Sequence, residues 1–151
     1  MQVYIIKESN SDSRVSASPD TVKKMTDWGL NVVIQDNAGL NSNFSNEDYV
    51  KSGASISNEI ADISKSDLIL KINKPNDDEI TLMNEGSILI ASLDPYNNNE
   101  TLNKLKDKGV TSFAMELMPR ITRAQSMDIL SSQSNLAGYK AVIDATYLFN
   151  K

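Results

Sequence analysis

The chain has 151 residues, 40% hydrophobic and 23% charged, with a formal net charge of −5 at pH 7. This suits one ordinary globular domain and argues against a general binder of nucleic-acid phosphates. It has no cysteine and no histidine, which excludes disulfides, thiolate chemistry, imidazole acid–base catalysis and the usual zinc sites together.

No apolar run approaches the roughly 18 residues of a membrane-spanning helix, so no direct membrane insertion is expected. The start Met1-Gln2-Val3-Tyr4-Ile5-Ile6-Lys7 lacks the basic head and long apolar centre of a secretory signal, and the cytoplasm is the expected compartment.

Val3-Tyr4-Ile5-Ile6 is a short apolar run with polar flanks and reads as a buried strand. Ser18-Pro19 supplies an N-cap and a proline at the first helical position, predicting a helix to about Trp28 with Val22, Met25 and Trp28 at three-residue spacing, closed by Gly29. Asn31-Val32-Val33-Ile34-Gln35 is the next strand. A polar loop from Asn37 to Ser45 then leads to a helix starting near Asn46, with Glu47 and Asp48 in its first turn and Gly53 as its stop. A second short helix is expected from Asn58 to Lys65.

Leu68-Ile69-Leu70-Lys71-Ile72 is nearly continuous in apolar character, as befits a strand covered on both faces of a parallel sheet. Asn76-Asp77-Asp78-Glu79 caps a further helix, and this position explains the acidic group without a metal. Ser87 to Ala91 is a strand, Asn98 or Asn99 opens a helix carrying Leu102 and Leu105, and Gly109 ends it before a last strand, Val110 to Ala114. From Ser126 two helical stretches are expected, the second capped by Ser134 or Asn135, with Leu136, Tyr139, Ile143 and Tyr147 on one face.

Strand and helix alternate throughout, which predicts right-handed βαβ units. The expected fold class is α/β, a three-layer, doubly wound, mostly parallel sheet of the Rossmann-like or flavodoxin-like kind. None of the six glycines fall into the G-x-G-x-x-G spacing that lets a backbone approach pyrophosphate, so this fold is expected without the dinucleotide fingerprint.

The densest polar stretch runs from Pro119 to Tyr139. Two Arg, two Gln, one Asp and five Ser or Thr fall in the sixteen residues from Arg120 to Asn135, more hydrogen-bonding groups than a core absorbs unsatisfied, so they belong at a surface or a ligand. Composition alone favours the plainer reading, that they cap helices and solvate a loop.

The ordered run Pro119-Arg120-Ile121-Thr122-Arg123-Ala124-Gln125-Ser126-Met127-Asp128, continued by Leu130-Ser131-Ser132-Gln133-Ser134-Asn135-Leu136-Ala137-Gly138-Tyr139, resembles the signature loop of the alpha subunit of proton-translocating NAD(P) transhydrogenases. The resemblance extends through Arg14-Val15, Ser18-Pro19, Ile69 to Asn73 and Asp77 to Ile80.

It implies that the whole chain, 1–151, is a single N-terminal domain of the alanine dehydrogenase/transhydrogenase kind, with the NAD-binding Rossmann domain absent from it and Phe149-Asn150-Lys151 at a domain boundary. It implies cofactor-binding roles for Arg120, Gln125, Asp128 and Ser131, with Gln125 and Asp128 closest to the reaction. It further implies NAD bound mainly by the absent domain, NADP on a partner component, a membrane component peripheral to which the chain would sit, and a homodimer.

A nicotinamide carboxamide offers one acceptor and two donors, which a guanidinium, a carboxylate and a hydroxyl answer separately and an amide answers at once. Alanine dehydrogenases share the resemblance and supply a discriminating test. Their pyruvate-binding arginine matches Arg14, but their catalytic lysine falls on Asn73 and their histidine near Asp94.

Oxidation of an amino acid needs a proton acceptor beside the reacting carbon, whereas hydride transfer between two nicotinamides needs positioning alone. Arg14 then reads as a structural salt bridge, and Lys71 and Lys74 as strand-end charges. The isolated chain is expected to be inactive by itself. A stand-alone binding or regulatory module of the same fold, or a fragment of an alanine dehydrogenase-like enzyme, are the alternatives.

Overall fold

The computed structural model describes residues 1–9 and 11–149. Asn150 and Lys151, at the expected boundary, lie outside the described residues. The chain divides into two compact units, Met1–Ala114 and Met115–Lys151.

The first unit is a six-stranded, wholly parallel sheet in the order β3-β2-β1-β4-β5-β6. Its strands are β1 (Gln2–Ile5), β2 (Asn31–Gln35), β3 (Ser55–Ser57), β4 (Leu68–Leu70), β5 (Ile88–Ala91) and β6 (Thr111–Ala114). The order reverses between β1 and β4, as in doubly wound folds. Side chains alternate across the pleat, so β1 sends Val3 and Ile5 to one face and Tyr4 to the other.

The Val3 face packs with Val32, Ile34 and Leu70 against Val22 of α1 (Pro19–Asp27) and Tyr49 of α2 (Asn46–Lys51). The Tyr4 face packs with Val33, Ile69 and Leu89 against Ile80 of α3 (Asp77–Leu82) and Leu105 of α4 (Asn99–Asp107). The first half of the fold thus buries one side of the sheet and the second half buries the other. That is the expected three-layer arrangement.

Local chemistry sets the helix starts. Ser18 accepts from the N–H of Thr21 with Pro19 in the first turn, and Ser45 with Asp48 and Asn76 with Glu79 form reciprocal capping boxes. At Gly29 and Gly53 the chain leaves α1 and α2 through positive φ, +82° and +91°.

Two connections depart from the sequence expectation. Ser55–Ser57 is an edge strand paired to β2, hidden in the sequence because Ile56 is its only apolar residue. The expected helix from Asn58 to Lys65 is instead a 3₁₀ segment, Ile60–Lys65, entered through extended backbone at Glu59. Ser57 Oγ donates to Asp62 Oδ2 (2.6 Å) and accepts from the N–H of Glu59 (3.1 Å). This local bonding competes with a full α-helical start.

The second unit holds 3₁₀ segments at Met115–Leu117 and Thr122–Met127 and one 20-residue helix, α5 (Ile129–Leu148). The sequence predicts two helices here, with a cap at Ser134 or Asn135. Asp128 provides the cap instead; Ser131 Oγ donates back to that cap (2.6 Å) and Ser132 Oγ to the carbonyl of Ile129 (3.1 Å), which lets the helix run through them. Leu136, Tyr139, Ile143 and Tyr147 are on α5 as expected, and all four are exposed.

Two glycines respond oppositely to one added methyl group. A Cβ at Gly39 would lie 2.6 Å from the ring of Tyr49, whose hydroxyl is held by the carbonyl of Ala17 at 2.9 Å, whereas a Cβ at Gly138 meets nothing within 4 Å. Gly39→Ala is expected to lower stability by about 1–3 kcal/mol through overpacking, read by urea denaturation. Gly138→Ala is expected to strengthen α5 by about 0.5–1 kcal/mol, read as slower amide exchange along the helix.

Candidate functional site

In a parallel sheet the crevice beyond the carboxyl ends of the strands, where the order reverses, is the usual ligand position. In the first unit that point lies between β1 and β4. The residues leaving those two strands are Glu8, Asp12 and Arg14 on one side and Lys71, Asn73 and Lys74 on the other.

Lys71 is the centre of this group. Its Nζ lies 2.9 Å from Glu79 Oε1 and 3.9 Å from Glu8 Oε2, and the three side chains are at most 7% exposed. Glu8 Oε1 accepts from the N–H of Ile72 (2.6 Å), and Oε2 accepts from the N–H of Asn73 (3.4 Å) and its side-chain amide (2.9 Å). Glu79 Oε2 accepts from the N–H of Asn76 (2.8 Å), so one carboxylate both holds Lys71 and closes the cap of α3.

The Asn73 amide also donates to Asp12 Oδ2 (2.8 Å), and Arg14 grips Asp12 through Nε (2.9 Å) and a terminal nitrogen (2.6 Å). The Arg14 guanidinium holds the Asp12 carboxyl well below the usual carboxylate range. Arg14 is therefore the salt bridge that the sequence suggests, and Asn73 is a bridge between two carboxylates. Lys71, read from sequence as a strand-end charge, is the buried hub.

Across the rim, Lys74 donates to Asn98 Oδ1. Asp94 sits at φ +45° and accepts from the Asn97 amide at 3.0 Å through both oxygens. Sequence reasoning missed Glu8, Asp12 and Glu79 as a connected set. The available signals were an acid two residues past the apolar run Val3 to Ile6 and an acid three residues into a capped helix.

The second unit carries the polar signature run. Asp128 is buried and ends the 3₁₀ segment, and its Oδ1 accepts from the N–H groups of Leu130 (3.0 Å) and Ser131 (3.2 Å). The Ser131 hydroxyl donates to Asp128 Oδ2 at 2.6 Å. The Ser131 hydroxyl, then the N–H groups of the first turn and the nearby charge of Arg120, hold the Asp128 carboxyl below its ordinary range.

Ala124 is buried, while Arg120, Gln125 and Ser131 are exposed. The backbone of Gln125 is tied down nonetheless, because its carbonyl accepts from the N–H of Asp128 at 3.3 Å. The four residues of the signature thus fall into a locked pair, Asp128 with Ser131, and two displayed side chains, Arg120 and Gln125. Among the described residues no helix is long and apolar enough to cross a membrane.

The profile of the family described as alanine dehydrogenase/PNT, N-terminal domain, matches residues 4–137. The chain is 41% identical over 156 residues to the first portion of NAD(P) transhydrogenase subunit alpha of Rhodospirillum rubrum, covering 99% of this chain and 41% of that protein. It is 32% identical over 149 residues to alanine dehydrogenase 1 of Staphylococcus aureus, covering 97% and 39%.

Among solved structures, the transhydrogenase from Sinorhizobium meliloti superposes with a TM-score of 0.94 at 47% identity, over 100% of this chain and 46% of that one. An L-alanine dehydrogenase superposes at 0.73 and 29% identity, over 77% and 32%. The chain thus spans about two fifths of the length of these curated relatives.

Removing the hub charge leaves two buried carboxylates without their cation. Lys71→Met is expected to destabilise the first unit by about 3–5 kcal/mol, measured by urea denaturation.

For Asp128 the folded carboxyl is depressed, so its stabilising contribution is complete above the unfolded value near 3.9 and is lost as pH falls through the lower folded value. The amides of Leu130 and Ser131 are expected to stay protected from exchange down to about pH 4 and to lose protection only below it. Ser131→Ala should move that loss to higher pH.

Proposed function

The chain belongs to the alanine dehydrogenase/PNT N-terminal domain family, and from that premise we propose that it serves as the N-terminal domain of a transhydrogenase alpha subunit. In this reading the run from Arg120 to Ser131 reaches over NADH held by a neighbouring Rossmann domain and aligns it for direct hydride transfer to NADP on a partner component. Proton translocation belongs to a membrane component, which keeps this domain on the cytoplasmic side, and the assembly is a homodimer. The observation that carries the reading is the signature run itself, with Arg120 and Gln125 displayed and Asp128 locked to Ser131.

The nucleotides supply the hydride donor and acceptor. The residues of this chain bind and orient. Arg120 can only donate, and ionised Asp128 can only accept. Ser131 gives its proton to Asp128, which leaves its oxygen only an acceptor's role toward a carboxamide N–H. Gln125 donates and accepts together, which suits it to bridge two nucleotides.

The rival amino-acid dehydrogenase reading needs a proton acceptor beside the reacting carbon. At the family's lysine position this chain has an amide, already shared between Glu8 and Asp12, and it has no histidine. Higher identity to the transhydrogenase relative than to the alanine dehydrogenase relative points the same way.

The isolated chain is expected to show no alanine dehydrogenase activity and only weak NADH binding; micromolar or tighter binding by calorimetry would count against the proposed division of labour. In an enzyme reconstituted with the Rossmann domain and the NADP-binding component, Gln125→Asn keeps the amide but shortens its reach by a methylene. A misalignment worth about 3 kcal/mol would slow hydride transfer roughly 100-fold in stopped flow, with NADH affinity by fluorescence little changed. Equal losses of affinity and rate would make Gln125 a binding residue only, and no change in either would remove the loop from the reaction.

A further inference from the structure

The six methionines of the chain differ in what a reagent in solution would meet. Met83 is fully buried, Met25, Met115 and Met118 are partly covered, and Met1 stands exposed at the terminus. Met127 is the exposed methionine inside the chain, with 49% of its surface in solvent, and it is the last residue of the 3₁₀ segment Thr122–Met127.

A 3₁₀ helix turns once in three residues, so side chains three apart eclipse. Thr122 then shares a face with Gln125, Arg123 with Ser126, and Ala124 with Met127. The first two faces are exposed throughout, whereas the buried Ala124 marks the third as the covered one. The Met127 thioether continues that covered face at the end of the segment, half in solvent and half against protein. A thioether wholly in solvent could be altered without effect, and one wholly buried could not be reached. This one is both reachable and part of the anchor.

We propose that Met127 is an oxidation site, at which a peroxide converts the thioether to the sulfoxide and thereby loosens the segment from its covered face. A sulfur lone pair attacks one peroxide oxygen, and the S–O bond forms as the O–O bond breaks. Sulfur gives up two electrons, and with hydrogen peroxide the second oxygen leaves with both protons as water. A flexible apolar side chain becomes a polar one, whose new acceptor oxygen the covered face holds only at a cost unless it finds a donor. The change is reversible, because methionine sulfoxide reductases restore the thioether. The inference rests on the exposure and packing of one segment and holds whether or not the run serves a nucleotide.

Hydrogen peroxide treatment of the full chain, followed over time by peptide mass mapping, is expected to oxidise Met127 about tenfold faster than Met83. Amide exchange reads the consequence. The N–H of Ala124, bonded to the carbonyl of Ile121 (2.9 Å), and that of Asp128, bonded to the carbonyl of Gln125 (3.3 Å), should exchange several-fold faster once Met127 is oxidised. Met127→Leu keeps an apolar side chain of similar volume and should hold both amides at their untreated rates in the same peroxide. Sulfoxide reductase should return the oxidised wild type to its starting rates. Oxidation of Met127 no faster than that of Met83 overturns the proposal. So does unchanged exchange in the oxidised wild type, equal loosening of peroxide-treated Met127→Leu, or a loosening that the reductase leaves in place.

Discussion

The first unit depends on one buried cation. Where the sheet order reverses, β1 and β4 run side by side but their chains leave to opposite faces, and the N–H groups just beyond β4 need partners. Glu8 supplies them, accepting from Ile72 and Asn73. A carboxylate that deep is tolerated only with a compensating charge, and Lys71 is that charge. The same ammonium holds Glu79, whose other oxygen closes the cap of α3. One lysine thus joins the exits of two strands to the start of a helix. Two carboxylates against one ammonium leave a surplus negative charge, and the N–H donors that converge on Glu8 and Glu79 offset it.

The two units differ in how far their polar side chains are already bonded within the protein. In the crevice Glu8, Asp12, Asn73 and Glu79 bond to one another's surroundings within the unit, so the usual ligand position of the fold is filled by the protein itself. In the signature run the opposite holds for Arg120 and Gln125, whose side chains are displayed to solvent. A chain without histidine or cysteine has little acid–base or nucleophilic chemistry to offer at either place. The proposed role asks for orientation, because transfer of a hydride between two rings needs positioning more than acid–base chemistry.

The sheet and its helices are legible in the sequence because their signals are local and strong: Ser18-Pro19, the capping pairs Ser45 with Asp48 and Asn76 with Glu79, and apolar runs at Ile69 and Leu89 each determine an element without reference to distant residues. β3 is not, because one isoleucine between two serines carries no periodicity, and its pairing with β2 is a long-range fact. The cap of α5 is ambiguous because several serines and Asn135 are equally good caps by type. Asp128 wins by geometry, since a 3₁₀ segment ends there and its carboxylate reaches two N–H groups at once. The Lys71 cluster is hidden for the same reason as β3. Its members are up to 71 residues apart in sequence, counting from Glu8 to Glu79, and only the parallel pairing of β1 with β4 brings them together.

Within the signature run the backbone divides the work that the proposed role requires. A residue that aligns a ligand must have a fixed root and a free tip, because a loose root would spend the binding energy on ordering the loop. Asp128 fixes the run at one end by capping α5, and its own N–H holds the carbonyl of Gln125. The buried Ala124 anchors the preceding residue. Gln125 is therefore held on both sides while its side chain, two methylenes and an amide, extends from the short 3₁₀ segment Thr122–Met127. The reach of that side chain is then set by its length alone, which is why a single methylene is the natural unit in which its contribution would be felt.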